Sequence, residues 1–192
     1  MREYDILCAR IDELLERESR VYVAIDGHAA SGKTSLATSL KERYDCNMIH
    51  MDHFFLRPEQ RTAERLTEPG GNVDYERFKT EVQNPLLAGE AFAYRPWNCQ
   101  TGEYGEKVDI KPNHLSIIEG AYSLHPTLSE AYHIKVFLRI PTEEQLCRIE
   151  ARDGETLLER FQSEWLPMEQ SYFEAFSIAQ TCDFIFGEEP TP

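Results

Sequence analysis

The chain is short of positive charge: Lys and Arg total 20 against 34 Asp and Glu, a formal net charge of −14. A nucleic-acid polymer is bound by a basic stripe that displaces counterions, so this balance argues against a polymer partner. The same acidity repels anionic membranes, yet leaves room for one anionic nucleotide at a local positive site. No apolar run approaches the roughly 20 residues that a bilayer crossing needs. The N-terminal stretch, with Glu3, Asp5, Asp12 and Glu13, lacks the apolar core of a signal peptide. The five cysteines (Cys8, Cys46, Cys99, Cys147 and Cys182) form no CxxC pair and are odd in number. They read as free thiols in a reducing cytosol, and a cytoplasmic protein is expected. Repeats, low-complexity tracts and long linkers are also missing. At 192 residues, one domain spanning 1–192 is expected. Hydrophobic content of 41% is enough to build its core without staples.

What is present alternates between strand and helix. Ile6, Leu7, Ile11, Leu14 and Leu15 are spaced as an amphipathic first helix. Arg20 to Asp26 (RVYVAID) is nearly all apolar, as a central parallel strand buried on both faces should be. A helix over Lys33 to Tyr44 and a short strand over Asn47 to Met51 follow. Residues 57–73, rich in Pro and Gly, read as a loop, with Asp74 as N-cap of a helix through Leu87. Phe92 to Asn98 and Glu106 to Ile110 flank a TGEYG turn and predict an inserted β-hairpin, about 92–110. His114 to Glu119 and Ile134 to Ile140 are further buried strands, and Thr142 is expected to cap a helix running to about Arg152. Helices around Thr156 to Ser163 and Met168 to Ala179 precede a last strand, Asp183 to Phe186. The order predicts an α/β fold, a parallel sheet with helices on both faces.

Gly27-His28-Ala29-Ala30-Ser31-Gly32-Lys33-Thr34 matches GxxxxGK[ST] in full, between a predicted buried strand and a predicted helix. Gly27 turns the chain sharply off the strand, and Gly32 lets the backbone approach a phosphate. Successive N–H groups then surround an anion at the positive end of the helix. Lys33 is expected to reach the β- and γ-phosphates of ATP and the Thr34 hydroxyl to ligand Mg²⁺. Ser35, next along, is counted with the nucleotide-contacting residues.

Two classes of P-loop protein compete: a small-molecule kinase, and a nucleotide-hydrolysing switch or motor. The NKxD and DxxG segments of a GTPase switch and the LSGGQ signature of a transporter ATPase do not occur. A kinase needs an acceptor site, a base and a cationic lid that screens the γ-phosphate from water. Asp52, directly after the second strand, falls at the carboxyl edge of the sheet where ligands bind. A carboxylate there can take the proton of an attacking hydroxyl or hold the metal's water shell; its neighbour His53 is read as structural. Glu119 ends the HLSIIE strand, where such enzymes place a group that orients Mg²⁺, directly or through water. Arg148 and Arg152 share a helix face in a lid of about 148–163. They are candidate phosphoryl clamps, with a Glu144–Arg148 surface salt bridge as the plainer reading. Asp74, Tyr94 and Arg95 lie in the stretch that would build the acceptor pocket with Asp52 and Glu119. Asp74 is equally suited to capping, and Arg95 to pairing with Glu103 or Asp109.

With these residues in view, the chain resembles the uridine kinase and phosphoribulokinase family of P-loop kinases. The resemblance runs from AIDGHAASGKTSLA at Ala24 through MDHFF at Met51, GGNVDYERF at Gly70 and IIEGAY at Ile117. It continues through CRIEARD at Cys147 and SEWLPMEQSYFEAF at Ser163 to the closing CDFIF. It implies a P-loop NTPase fold with a five-stranded parallel sheet and a helical lid, working with ATP and Mg²⁺. It also implies Asp52 as base, Asp74 on the acceptor's hydroxyls, and Arg148 and Arg152 as lid arginines. The implied activity is transfer of the γ-phosphate of ATP to a hydroxyl of a small metabolite. Nucleosides, nicotinamide riboside, pantothenate, pentose phosphates and other sugar-like alcohols all remain open as acceptors, as does self-association into a homo-oligomer. The alternative is an ATP-binding regulator with weak or no kinase activity.

Overall fold

The apolar strands read from the sequence assemble into one parallel sheet. The computed structural model describes residues 3–188. Helix α1 (Glu3–Leu15) leads into β1 (Val21–Gly27), whose seven residues are all buried. Then come α2 (Lys33–Arg43), β2 (Asn47–His50) and a single 3-10 turn, Met51–Phe54. Residues 57–73, expected as plain loop, contain a second 3-10 turn and a short helix, α3 (Ala63–Thr67). Thr62 caps α3, its hydroxyl accepting from the Arg65 amide, a signal the Pro and Gly content of the segment masked.

Asp74 caps the next helix as expected, accepting from the Arg77 amide at 2.9 Å. That helix comprises α4 (Tyr75–Phe78), a π-type turn Lys79–Gln83 and α5 (Asn84–Ala88). The hairpin is broken into two ladders. Strand β3 (Phe92–Tyr94) pairs with β6 (Val108–Ile110), and β4 (Trp97–Asn98) with β5 (Glu103–Tyr104). Its reversal therefore falls at residues 99–102 rather than at TGEYG. Asn98 decides this: its side-chain oxygen accepts from the amides of Gln100 and Thr101, an Asx-type turn.

Strand β7 (Leu115–Glu119) and the short helix α6 (Pro126–Ser129) follow, then β8 (Ile134–Leu138) and α7 (Thr142–Asp153). Pro141, not Thr142, occupies the N-cap of α7; Thr142 is already helical. The two expected late helices are joined: α8 (Glu155–Arg160) passes through a π-type stretch, Phe161–Trp165, into α9 (Leu166–Ala175). Strand β9 (Phe184–Phe186) closes the described chain.

The main sheet has the order β2-β7-β1-β8-β9, and each pairing is parallel. Alternation along β1 divides the core. Val21, Val23 and Ile25 face α1 and α2 through Leu7, Ile11, Ala37 and Leu40; Tyr22 and Ala24 face Phe54, Phe78, Tyr122, Tyr172 and Phe173. Ile6, counted with the apolar stripe of α1, is 44% exposed, and Cys8 takes its place in the core. Helices cover both faces, and the Gly27–Thr34 segment, Asp52 and Glu119 lie at the carboxyl edge of the strands, where ligands of open α/β sheets bind.

Candidate active site

The Gly27–Thr34 segment leaves β1 at its carboxyl end. Gly27 has φ +134°, and a Cβ there would lie 2.1 Å from the Leu138 carbonyl oxygen, so the turn beside β8 admits no other residue. Inside the loop, Lys33 Nζ donates to the carbonyls of Gly27 and His28, each at 2.8 Å. His28 stands T-shaped to Phe137 and Phe173; burial pushes its imidazole down to about 4, so it is neutral at neutral pH. Ala30 adopts φ 58°, a left-handed conformation unusual for a residue with a Cβ.

Strand β7 lies between β1 and β2 and delivers Glu119 beside the loop. Thr34 Oγ1 donates to Glu119 Oε2 at 3.0 Å, while Glu119 Oε1 meets His50 Nδ1 at the end of β2. That contact pulls the His50 imidazole upward, against the effect of its burial. Asp52 follows on the 3-10 turn. Gly120, φ +130°, makes room for it, since a Cβ there would sit 3.2 Å from Asp52 Oδ1 and 3.0 Å from Met51 Cβ. Asp52 keeps surface open to solvent but is otherwise ringed by protein. Loss of water raises its carboxyl, Lys33 offsets part of the rise, Glu119 adds to it, and His50 and Arg152 lower it again. Accessible and raised, it has the character of a proton acceptor.

Of the lid arginines, Arg148 reaches the loop: Nη1 donates to the Ala30 carbonyl at 3.1 Å, and Nη2 pairs with Glu144. The salt bridge weighed from the sequence thus forms, and Arg148 touches the nucleotide loop as well. Arg152 turns onto Asp153 at 2.7 Å and lies 5.9 Å from the Phe161 ring centre, about half exposed.

The acceptor candidates are more dispersed. Asp74 is buried, with both oxygens engaged: Oδ1 by the Arg77 amide and Oδ2 by Gln60 Nε2 at 2.7 Å. Tyr94 is buried with its hydroxyl 3.1 Å from His53 Nδ1. Arg95 pairs with neither Glu103 nor Asp109. It donates to the carbonyls of Gly105 and Tyr104 at 3.0 and 3.1 Å, bracing the hairpin; Asp109 goes to Lys107. A cavity of about 410 Å³ opens between the 57–73 segment and the start of α9, lined by Gly70, Asn72, Tyr122, Glu164, Met168 and Ser171 among others.

Several residues that shape the site were missed in the sequence. Asp26, fully buried at the end of β1, accepts from the amides of Gly27, Tyr122 and Leu124 and from the Tyr172 hydroxyl. A lone carboxylate closing an apolar run was the signal. Arg77 lies 4.3 Å from the Phe54 ring centre and donates to the His53 carbonyl, and Arg65 ties Gly71, Val73 and Glu76 together. His50, Gln145 and Glu169 left no local signal.

A five-stranded parallel sheet with this loop between its first strand and first following helix is the P-loop NTPase fold. No family model matches the chain. Among solved structures, a possible uridine kinase from Bacillus stearothermophilus is similar, with a TM-score of 0.69 and 20% identity over 94% of this chain and 99% of that one. TT1252 from Thermus thermophilus is also similar, with a TM-score of 0.51 and 15% identity over 91% and 90% of the two chains. At these identities the likeness is one of fold. The suspicion of a uridine kinase-like fold read from the sequence agrees with it. No described helix is long and apolar enough to cross a membrane.

Proposed function

We propose that this protein is a kinase that transfers the γ-phosphate of ATP to a hydroxyl of a small metabolite, a nucleoside or sugar-like alcohol. The observation that carries the reading is the convergence, at the edge of three adjacent strands, of an anion loop with its lysine, a Thr34–Glu119 pair and an accessible raised carboxylate, Asp52. A switch or motor has no acceptor hydroxyl for such a solvent-open base to deprotonate.

In this reading the Gly27–Ser35 segment cradles the nucleotide, and Lys33 leaves its two carbonyls to meet the β- and γ-phosphates. Two hard oxygen donors 3.0 Å apart, Thr34 Oγ1 and Glu119 Oε2, suit Mg²⁺, which takes few protein ligands and completes its shell with phosphate and water. Bound there, Mg²⁺ would neutralise charge on the phosphates. Asp52 orients the acceptor hydroxyl and takes its proton; Arg148 and Arg152 close over the transferring group. Most of the acceleration comes from positioning and charge stabilisation.

The 410 Å³ cavity is of small-ligand size, about 300–1,000 Å³, but none of Asp52, Asp74, Tyr94 and Arg95 lines it, so the acceptor is assigned to those residues and not to the cavity. Asp74 keeps unused lone pairs on oxygens that already hold Gln60 and Arg77, and is assigned to acceptor hydroxyls, with Tyr94 and Arg95 as the further candidates. A panel of nucleosides, vitamins and sugar phosphates scored for ADP release tests the reading. Release stimulated by one acceptor, with its phosphorylated product seen by mass spectrometry, supports the kinase. Acceptor-independent release or none supports a nucleotide-binding regulator instead.

A further inference from the structure

Ala29, the third residue of the nucleotide loop, is held at both of its main-chain polar groups by side chains from the lid side of the molecule. Glu169 Oε2 on α9 accepts from the Ala29 amide at 2.9 Å. Gln145 Nε2 on α7 donates to the Ala29 carbonyl at 3.1 Å. Both side chains are buried, 7% and 6% exposed, so water does not compete for either bond. Apolar side chains would fill the same space without the cost of burying a carboxylate and an amide. Filling space therefore does not explain them.

The planar trans peptide does. Its carbonyl and the N–H that follows point in opposite directions. When Gln145 draws the Ala29 carbonyl toward α7, the Ala30 N–H is turned the other way, into the loop. Ala30 is itself held in a left-handed conformation that a Cβ-bearing residue keeps only under outside constraint. Glu169 fixes the preceding amide, so the peptide planes on both sides of Ala29 are set. Arg148, three residues after Gln145 on the same helix, grips the next carbonyl, Ala30.

We infer that Gln145 and Glu169 are positioning residues that hold the Ala29–Ala30 peptide with its N–H toward a nucleotide phosphate, so that helices α7 and α9 set the affinity of the loop for ATP. The inference rests on the proposed kinase reading and adds to it a mechanical link: a shift of either helix changes the shape of the phosphate cup. Glu169 is faced by Lys33 from α2, Asp26 from β1 and Asp52 from the turn after β2; burial pushes its carboxyl up to about 7. The bond to Ala29 does not depend on that proton, since a carboxylic acid also accepts through its carbonyl oxygen.

The test measures ATP and ADP dissociation constants with Mg²⁺ on the full chain by calorimetry. The variants are Gln145→Met, Glu169→Met and Glu169→Gln, with circular dichroism and melting curves beside them. Met has nearly the size of either side chain, cannot donate, and accepts only weakly through its sulfur. Each Met variant is expected to bind about tenfold more weakly, the worth of one buried hydrogen bond. Glu169→Gln keeps the acceptor and is expected to bind as tightly as the parent or tighter. A purely electrostatic role for Glu169 predicts the opposite for Glu169→Met, because removing a negative charge near phosphate strengthens binding. Folded Met variants that bind within about twofold of the parent overturn the inference. Should Glu169→Met not fold, Gln145→Asn, one methylene too short for the carbonyl, carries the same expectation. A parent chain that binds no nucleotide overturns the kinase reading itself.

Discussion

Replacing Asp26 by Asn changes one oxygen for an NH₂ group at the most densely bonded side chain beneath the site. Asp26 has no exposed surface. Its Oδ1 accepts from the amides of Gly27 and Tyr122 at 2.7 and 3.2 Å; its Oδ2 accepts from the Leu124 amide at 3.0 Å and the Tyr172 hydroxyl at 2.8 Å. If Asn keeps its oxygen toward Gly27, its NH₂ faces Leu124 and Tyr172. The Tyr172 hydroxyl can rotate and accept; the Leu124 amide cannot. One orphaned buried N–H costs about 1–3 kcal/mol. The surviving bonds lose their charge assistance, which roughly halves them. Relief of a buried charge runs the other way and recovers part of the loss. The balance is a destabilisation of about 3 kcal/mol, which for a chain of this length lowers Tm by roughly 6–12 °C. Scanning calorimetry and urea titration of Asp26→Asn measure it directly. A melting point within about 2 °C of the parent refutes the reasoning, because it means that the four donors do not need a carboxylate. The loss also loosens the turn after Glu119, so nucleotide binding is expected to weaken with stability.

The other expectations concern the site and its pH dependence. Lys33→Ala should abolish nucleotide-dependent turnover in a chain that still folds by circular dichroism, with some loss of melting temperature because its charge faces Asp26, Asp52 and Glu169; retained turnover removes Lys33 from the chemistry. Asp52→Asn should bind ATP normally and transfer phosphate about 10²–10⁴-fold more slowly, the usual worth of a general base, in a single-turnover assay. Gly120→Ala should impair transfer too, because its Cβ meets Met51 and Asp52 at close range in a φ +130° backbone; wild-type kinetics would show that Asp52 need not stand where it does. His125 is stacked on Tyr75 and pushed down to about 4 by burial. Its folded value lies below the unfolded one near 6.5, so its contribution is full above 6.5 and lost as pH falls through 4. Melting points of His125→Phe between pH 7 and 4 should fall less steeply than the parent's; parallel curves would exclude the imidazole as their source.

The order of strands and helices, the glycine-rich loop, the positions of Lys33 and Thr34 at the start of α2 and those of Asp52 and Glu119 at the carboxyl ends of strands were legible in the sequence. Burial on both faces forces continuous apolar runs, and an anion cup needs glycines at set spacing; both are local patterns. The Asp74 cap was legible for the same reason. The break in the hairpin at Asn98 and the Thr62-capped helix α3 are also local in cause, but there one short polar residue decided between turn types that composition alone does not separate.

What only the folded chain decided is which distant groups meet. Glu169 reaches Ala29 across 140 residues and Tyr172 reaches Asp26 across 146. Arg95 abandons its neighbouring carboxylates for hairpin carbonyls. Glu119 takes His50 as well as Thr34 because β7 inserts between β1 and β2. A strand order that departs from chain order leaves no periodicity to read, and a side-chain bond across the core depends on packing distances that no window of sequence contains. Local chemistry wrote the phosphate loop; the sheet's crossing order gave it the carboxylates around it.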